Sequence, residues 1–468
     1  MMNLTAGTPQ GIMVAGLSGG SGKSVAAVGI TAALAGQGMR IAPFKKGPDY
    51  IDAGWLQLAA GRPCHNLDPY LMSAALIRQS CVEHAEGAQL VVVEGNRGLF
   101  DGVDLNGSYS SAELAAILRL PVILAVDCTK MTRTVAALVL GCQQLGGDIS
   151  IRGLVLNRIG SPRHERVIRQ AVEHYTDVSV VGAIPRLSSD VFPQRHIGIT
   201  PCPEYAGAEE AVKKLAAIIR EHVDLEELLA LAEPLPDDKK DVAPQCHGLE
   251  QGVHGALTDV RIGVIRDAAF QFYYPENLQA LEQCGAELIE INALRAAVLP
   301  EIDGLYIGGG FPETSVAQLA ANSVFRHDLR QRVEDGMPVY AECGGLIYLC
   351  ESLEVDGQSY DLTGVYPVRL RMEKKPQAHG YTILETLANN AVYAPGSVIK
   401  GHEFRYSRVL NSAVKKESMA FAVQRGVGFA HGRDGLVYKN CLALYTHVHA
   451  LGTPEWAEGF VALVREKR

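Results

Sequence analysis

The sequence predicts an α/β protein of two domains, the first built on a doubly wound parallel sheet. Three observations predict it. At 468 residues the chain exceeds one ordinary core. Short β-branched apolar runs alternate with helical patterns in both halves, as in parallel sheets covered on both faces. Between residues 233 and 258 that rhythm stops: Pro, Asp-Asp-Lys-Lys, Gln and Gly show no sustained period. The reading is therefore residues 1–232 as one domain, 233–258 as a linker and 259–468 as the second domain.

In order, residues 11–17 read as a buried strand and 22–34 as a helix leaving a glycine-rich turn. Residues 40–44, 90–93, 122–126, 151–156 and 178–184 read as further buried strands, and 206–231 as helical. The second rhythm opens with a strand at 260–265. Strands at 287–291, 304–307 and 338–341 follow, with helices at 275–284 and 314–335. The last third holds β-like segments at 360–371, 381–384 and 441–447.

Bulk properties narrow the function classes. A formal net charge of −9 without a basic block argues against a nucleic-acid partner, because phosphate backbones reward clustered Lys and Arg. Neither a signal peptide nor an apolar run of membrane-spanning length is visible, so a cytoplasmic protein with no membrane partner is expected. The 10 cysteines contain no C-x-x-C pair, which speaks against a zinc site or a disulfide framework.

Chemistry concentrates at two places. Gly16-Leu17-Ser18-Gly19-Gly20-Ser21-Gly22-Lys23-Ser24 joins the first strand to the first helix. Backbone N–H groups of Gly16, Ser18 and Gly22 would converge on phosphate, Lys23 would reach the terminal phosphates, and Ser24 would take a place on Mg²⁺. Acids at strand ends, Asp49 and Glu94, are the other Mg²⁺ candidates. Asp52 and Asp101 are either further site carboxylates or solvated caps, and Asn157 could reach a purine edge. Near the other end, Tyr340-Ala341-Glu342-Cys343-Gly344-Gly345 has the strand–elbow–helix pattern that exposes a nucleophile. His447 is its candidate base, and the backbone N–H groups of Gly309, Gly310 and Gly344 its oxyanion hole. His449 shares a face with His447 if the strand runs through both. His402 and Glu403 are either a hydrogen-bonded turn or a substrate contact. One device activates a carboxylate with ATP and the other frees nitrogen from an amide, so together they imply an ATP-dependent, L-glutamine-fed amide synthase.

The longer phosphate loop resembles that of dethiobiotin synthetase and its relatives. With Phe44-Lys45-Lys46-Gly47-Pro48-Asp49-Tyr50-Ile51-Asp52, Asn66-Leu67-Asp68, Glu94-Gly95, Phe272-Tyr273-Tyr274-Pro275-Glu276-Asn277, Phe311-Pro312-Glu313, the Cys343 elbow and His402-Glu403-Phe404, the chain resembles the cobyrinate a,c-diamide synthase family along essentially its whole length. The resemblance implies a P-loop NTPase-like doubly wound sheet followed by a class I glutaminase-like α/β domain. It implies a tetrapyrrole substrate, a corrin whose a and c acetates are amidated with ATP and glutamine, and a closed ammonia path. It places Asp49, Tyr50, Ile51, Asp52 and Asp101 near the substrate carboxylate and the transferring phosphoryl group. In many glutaminase triads a Glu stands where this chain has His449, which leaves open what orients His447. Nickel-sirohydrochlorin or hydrogenobyrinate as substrate, an ammonia-only ligase, a scaffold ATPase and a homo-oligomer all stay open at this point.

Overall fold

Apolar β-branched runs settle into parallel strands where helices cover both faces, and the first half of the chain does this throughout. The computed structural model describes residues 8–147, 149–188, 194–195, 198–202, 205, 207–236, 259–387 and 390–468. The chain divides into two units, Met1–Gln245 and Cys246–Arg468. In the first, β1 (Gln10–Gly16), β2 (Ile41–Lys46), β3 (His65–Leu67), β4 (Leu90–Glu94), β5 (Val122–Asp127), β6 (Ile151–Ile159) and β7 (Ser179–Pro185) pair in the order 3-2-4-1-5-6-7. All six of these pairings are parallel. The order reverses around β1, and the crevice at the carboxyl ends of such strands is where doubly wound sheets bind ligands.

Two boundaries differ from the sequence reading. The helical run at 206–231 is two helices, Ala208–His222 and Leu225–Ala230. It breaks because Val223 bridges Gly182 of β7 and Asp224 then caps the second helix, accepting from Glu227 N at 2.9 Å. Glu233–Pro234, placed in the linker from sequence, instead pairs antiparallel with the start of β1. The linker from 237 to 258 lies outside the described residues.

In the second unit five parallel strands lie in the order Ala286–Ile291, Val260–Ile265, Gly304–Ile307, Val339–Glu342 and Cys441–Leu444. Five antiparallel strands continue the sheet: Arg433–Tyr438, Met419–Arg425, Ala378–Thr386, Val398–Arg405 and His447–Val448. The single strand expected at 441–447 is therefore broken. Asp434, fully buried, takes the backbone N–H groups of Tyr445 (3.1 Å) and Thr446 (3.2 Å) out of the ladder. The chain turns there, and His447 joins the far edge opposite His402. The segment at 360–371 likewise belongs to two strands of a separate sheet, Gln358–Asp361 and Tyr366–Met372.

The helix expected over 314–335 is interrupted at Asn322, between Val316–Ala321 and Ser323–Glu334. Its side chain caps the later helix through Phe325 N (3.4 Å) and donates to the carbonyls of Ala293 (2.9 Å) and Ala296 (2.8 Å). Three bonds from one amide make this residue the tie between helix and loop. Asn322→Ala is expected to destabilise the second unit by about 1–3 kcal/mol. Each unit holds one of the two tryptophans, Trp55 and Trp456, both fully buried. Urea unfolding followed by Trp456 fluorescence in a Trp55→Phe background measures the loss.

Candidate active sites

In the first unit the phosphate loop leaves β1 at Gly16, and helix α1 (Lys23–Ala35) starts at Lys23. Gly22 holds φ +98° against the side chain of Asn157, a position where any side chain would strike the Asn157 amide. That amide donates to Ser21 O at 3.0 Å, and its oxygen accepts from Arg158 N at 2.9 Å. Asn157 thus braces the loop from β6. Ser18 is exposed, whereas Lys23 is buried. The loop after β4 is pinned to the same strand by Gly95 N on Val14 O (2.8 Å) and Leu99 N on Gly16 O (2.7 Å). Asp101, exposed, accepts from Gly98 N at 2.9 Å and closes that loop's turn.

Helix α2 (Tyr50–Ala60) begins on Asp49, whose carboxylate accepts from Ile51 N (3.0 Å) and Asp52 N (3.1 Å). Asn66 on β3 fixes the approach to this cap, donating to Gly47 O (2.7 Å) and Asp49 O (3.1 Å). Tyr50 and Ile51 are half-buried in the first turn, and Asp52 faces inward. The residue that organises these acids is Lys45, absent from the sequence-derived site. Its Nζ lies 2.7 Å from Asp52, 3.1 Å from Glu94 and 4.0 Å from Asp49, and it donates to Gly95 O at 3.0 Å. Burial works against the Lys45 charge, but the three carboxylates overcome it and raise its pKa. Burial would likewise raise Asp52, yet Lys45 holds that carboxyl below its usual range. Glu94 goes the other way: burial, with Asp52 adding to it, pushes it up to about 7. A sequence signal for Lys45 did exist. A lysine inside a fully buried strand, Ile41–Lys46, cannot be solvated and must be paired.

Mg²⁺ fits this donor set. Ser24 Oγ donates to Glu94 Oε1 at 2.6 Å, while Glu94 Oε2 is buried without a hydrogen-bond partner among the described residues. An orphaned carboxylate oxygen beside a hydroxyl on the phosphate loop is a hard-oxygen arrangement suited to that cation.

In the second unit, Cys343 stands between the strand Val339–Glu342 and the helix Gly344–Leu349 at φ +45°, ψ −95°. Such a conformation costs about 1–3 kcal/mol. Cys343 N on Leu444 O (2.8 Å) and Ile347 N on Cys343 O (3.0 Å) hold it in place. Gly345 is required because a Cβ there would strike the carbonyl of Ile307. The thiol is nearly buried and points to Phe404 O at 3.6 Å. His447 lies beside Cys343 and is hydrogen-bonded to Glu342, with Nδ1 3.1 Å from Glu342 Oε2. Burial alone would lower the His447 pKa; the neighbouring Cys343 and Glu342 outweigh it and bring the ring up to about 10. An imidazolium beside a cysteine favours the thiolate that attacks carbonyls.

Of the three glycines named from sequence, Gly310 and Gly344 approach closely: a Cβ on Gly344 would lie 2.9 Å from Gly310 N. Gly309 instead bridges Phe272 and backs the His447 ring. His402 stacks on His447 with ring centres 4.9 Å apart, and burial keeps it far below its usual pKa. Glu403 accepts from Val427 N and Gly428 N, which is the turn reading of that pair. The broken strand sends His449 elsewhere: it packs on Tyr274 (4.4 Å between centres) and lies 3.7 Å from Glu276. Cys350 is an inert contrast, bonded to Leu346 O at 3.2 Å with burial raising its pKa.

Residues 12–196 match the CobQ/CobB/MinD/ParA nucleotide binding domain family, and residues 261–455 the CobB/CobQ-like glutamine amidotransferase domain family. A cobyrinate a,c-diamide synthase of Magnetococcus marinus is 42% identical over 454 residues, covering 96% of this chain and 95% of the relative. One from Archaeoglobus fulgidus is 37% identical over 465 residues, covering 98% of each.

The Lys45 cluster yields a stability test. Lys45→Met leaves carboxylates facing one another without their cation, and breaking a buried pair from one side costs about 3–5 kcal/mol. Glu94 is raised from 4.5 to about 7, so what it contributes is full below pH 4.5 and is lost as the pH rises through 7. The variant's loss is therefore expected to be larger at pH 8 than at pH 5. Urea unfolding read by Trp55 in a Trp456→Phe background measures both.

Proposed function

We propose the reaction below for a chain that belongs to the cobyrinate a,c-diamide synthase family, and hence is a carbon–nitrogen ligase with glutamine as amido-nitrogen donor. Its substrate is cobyrinate, whose a and c acetate carboxylates become amides in cobalamin biosynthesis. The observation that carries this reading is the pairing, in one chain, of a braced phosphate loop with a cysteine elbow beside a histidine that is hydrogen-bonded to a carboxylate.

At the ligase site a substrate carboxylate oxygen attacks the γ-phosphorus of ATP, and the bond to the ADP oxygen breaks. Lys23 and the backbone N–H groups of Gly16, Ser18 and Gly22 bind the phosphates, Asn157 keeps the loop shaped, and the purine lies toward its side of the sheet. Tyr50, Ile51, Asp52 and Asp101 flank the acetate. Ser24, Asp49 and Glu94 would hold Mg²⁺, which when bound offsets negative charge on the phosphoryl oxygens. Lys45 holds Asp52 and Glu94 in place.

At the second site Cys343 Sγ attacks the glutamine amide carbon. The developing oxyanion is met by backbone N–H groups of Gly310 and Gly344, with Gly309 on the flank. His447 gives its proton to the leaving nitrogen, the C–N bond breaks, and ammonia departs from a thioester. Water, deprotonated by His447, then releases glutamate. Ammonia displaces phosphate from the acyl phosphate, closing the cycle. No helix among the described residues is long and apolar enough to cross a membrane, and the proposed setting is the cytoplasm.

The test offers cobyrinate, nickel-sirohydrochlorin and hydrogenobyrinate separately with ATP, Mg²⁺ and glutamine, reading products by mass. A two-amide product from cobyrinate is expected; failure of any tetrapyrrole to gain nitrogen overturns the ligase reading. Cys343→Ala is expected to lower glutamine-supported amidation by about 10³-fold or more while ammonia-supported amidation persists. Undiminished glutamine use by that variant would contradict the cysteine mechanism.

A further inference from the structure

We propose that Glu342, the residue immediately before the nucleophile, is the positioning residue that completes the glutaminase constellation. The usual place for such a carboxylate, two residues after the base, is occupied here by His449, which turns toward Tyr274 and Glu276. The carboxylate comes instead from the strand that carries Cys343. This inference rests on the cysteine mechanism proposed above.

Four observations carry it. Glu342 Oε2 lies 3.1 Å from His447 Nδ1, and the two side chains are only 1% and 3% exposed. Because Nδ1 is taken, Nε2 is the ring nitrogen left for Cys343, so the contact fixes the tautomer and the ring orientation. The carboxylate is itself held from two further elements: Tyr306 O–H points to Oε2 (3.5 Å), and Val448 N–H to Oε1 (3.4 Å). Finally, Glu342 pairs with Leu444 in the parallel ladder, and the next residue's N–H binds Leu444 O. Orienter and nucleophile are thus fixed by one register, and neither can shift without the other.

The groups facing His447 bear on its protonation from several elements. Cys343 and Glu342 approach from the central strand, and Tyr306 lies behind Glu342. The neutral His402 stacks from Val398–Arg405, and His449 with Glu276 lies beyond. Within this set Glu342 is the carboxylate that hydrogen-bonds the ring, so its loss withdraws support from the imidazolium directly.

The experiment measures glutamate release by the full-length protein, with Glu342→Gln, Glu342→Asp and His449→Gln. A serine triad loses about 10⁴-fold in kcat when its carboxylate becomes an amide; a thiol ionises more readily, so about 10- to 100-fold is expected for Glu342→Gln. KM for glutamine is expected within about twofold, which reports an intact pocket. The alkaline limb of kcat against pH is expected to move to lower pH, because an imidazolium without its carboxylate gives up its proton sooner. Glu342→Asp keeps the charge and restores that limb even where its rate is only partly recovered, which also covers a Gln variant that folds poorly. An unshifted limb with kcat within twofold in Glu342→Gln overturns the proposal, as does a shifted limb confined to His449→Gln. Glutamate release does not depend on the acceptor, so an error in the tetrapyrrole assignment leaves this test intact. A glutaminase unaffected by Cys343→Ala would instead refute the underlying mechanism.

Discussion

Hydrogen bonding between the strands Val339–Glu342 and Cys441–Leu444 is the constraint on which the second unit depends. Residues about a hundred positions apart become neighbours through one parallel register, Glu342 opposite Leu444. The strained backbone of Cys343 persists because its N–H is tied to that same partner, and because Ile307 leaves room only for Gly345. Buried Asp434 then ends the partner strand by claiming two of its N–H groups, which swings His447 to the opposite edge. Packing alone would give a flat ladder. A single buried carboxylate turns it into a site.

The first unit obeys the same rule with different charges. Its strands are apolar along their length, so polar side chains gather where the strands end. Lys45, one residue from the end of β2 and opposite Glu94, decides which acids are positioned and how they titrate. Glu94 and Asp52 share its ammonium yet diverge, Asp52 held low by the close contact and Glu94 left near neutrality by burial. Glu94 Oε2, without a hydrogen-bond partner among the described residues, is the oxygen open to a cation.

How much of this was legible depended on range. The sheet strands of the first unit other than the short, polar β3 showed themselves because continuous β-branched runs have few alternatives, and the phosphate loop because its chemistry is local. The elbow was legible for the same reason: Ala341, Cys343, Gly344 and Gly345 must be adjacent to make the turn. The broken strand after Leu444 was not, since the agent is Asp434, whose role exists only after folding. Helix interruptions at Asn322 and Asp224 were half visible as capping residues inside helical runs, but periodicity outweighed them. Lys45 and Glu342 were written in the motifs themselves; what the sequence withheld was which neighbour each would face.

The two sites use burial to opposite ends. Around Cys343 the groups close on themselves: His447 stands between Cys343 and Glu342, and Tyr306 and Val448 hold the carboxylate, so the arrangement is fixed by the chain itself. Around Lys45 they do not close: among the described residues one buried oxygen of Glu94 lacks a hydrogen-bond partner. The first constellation is preorganised, its energy stored in the Cys343 backbone. In the proposed reaction the second is completed from outside, by a metal cation at Glu94 and by nucleotide phosphates on Lys23. A ligase that completes itself only with nucleotide and cation cannot activate a carboxylate prematurely.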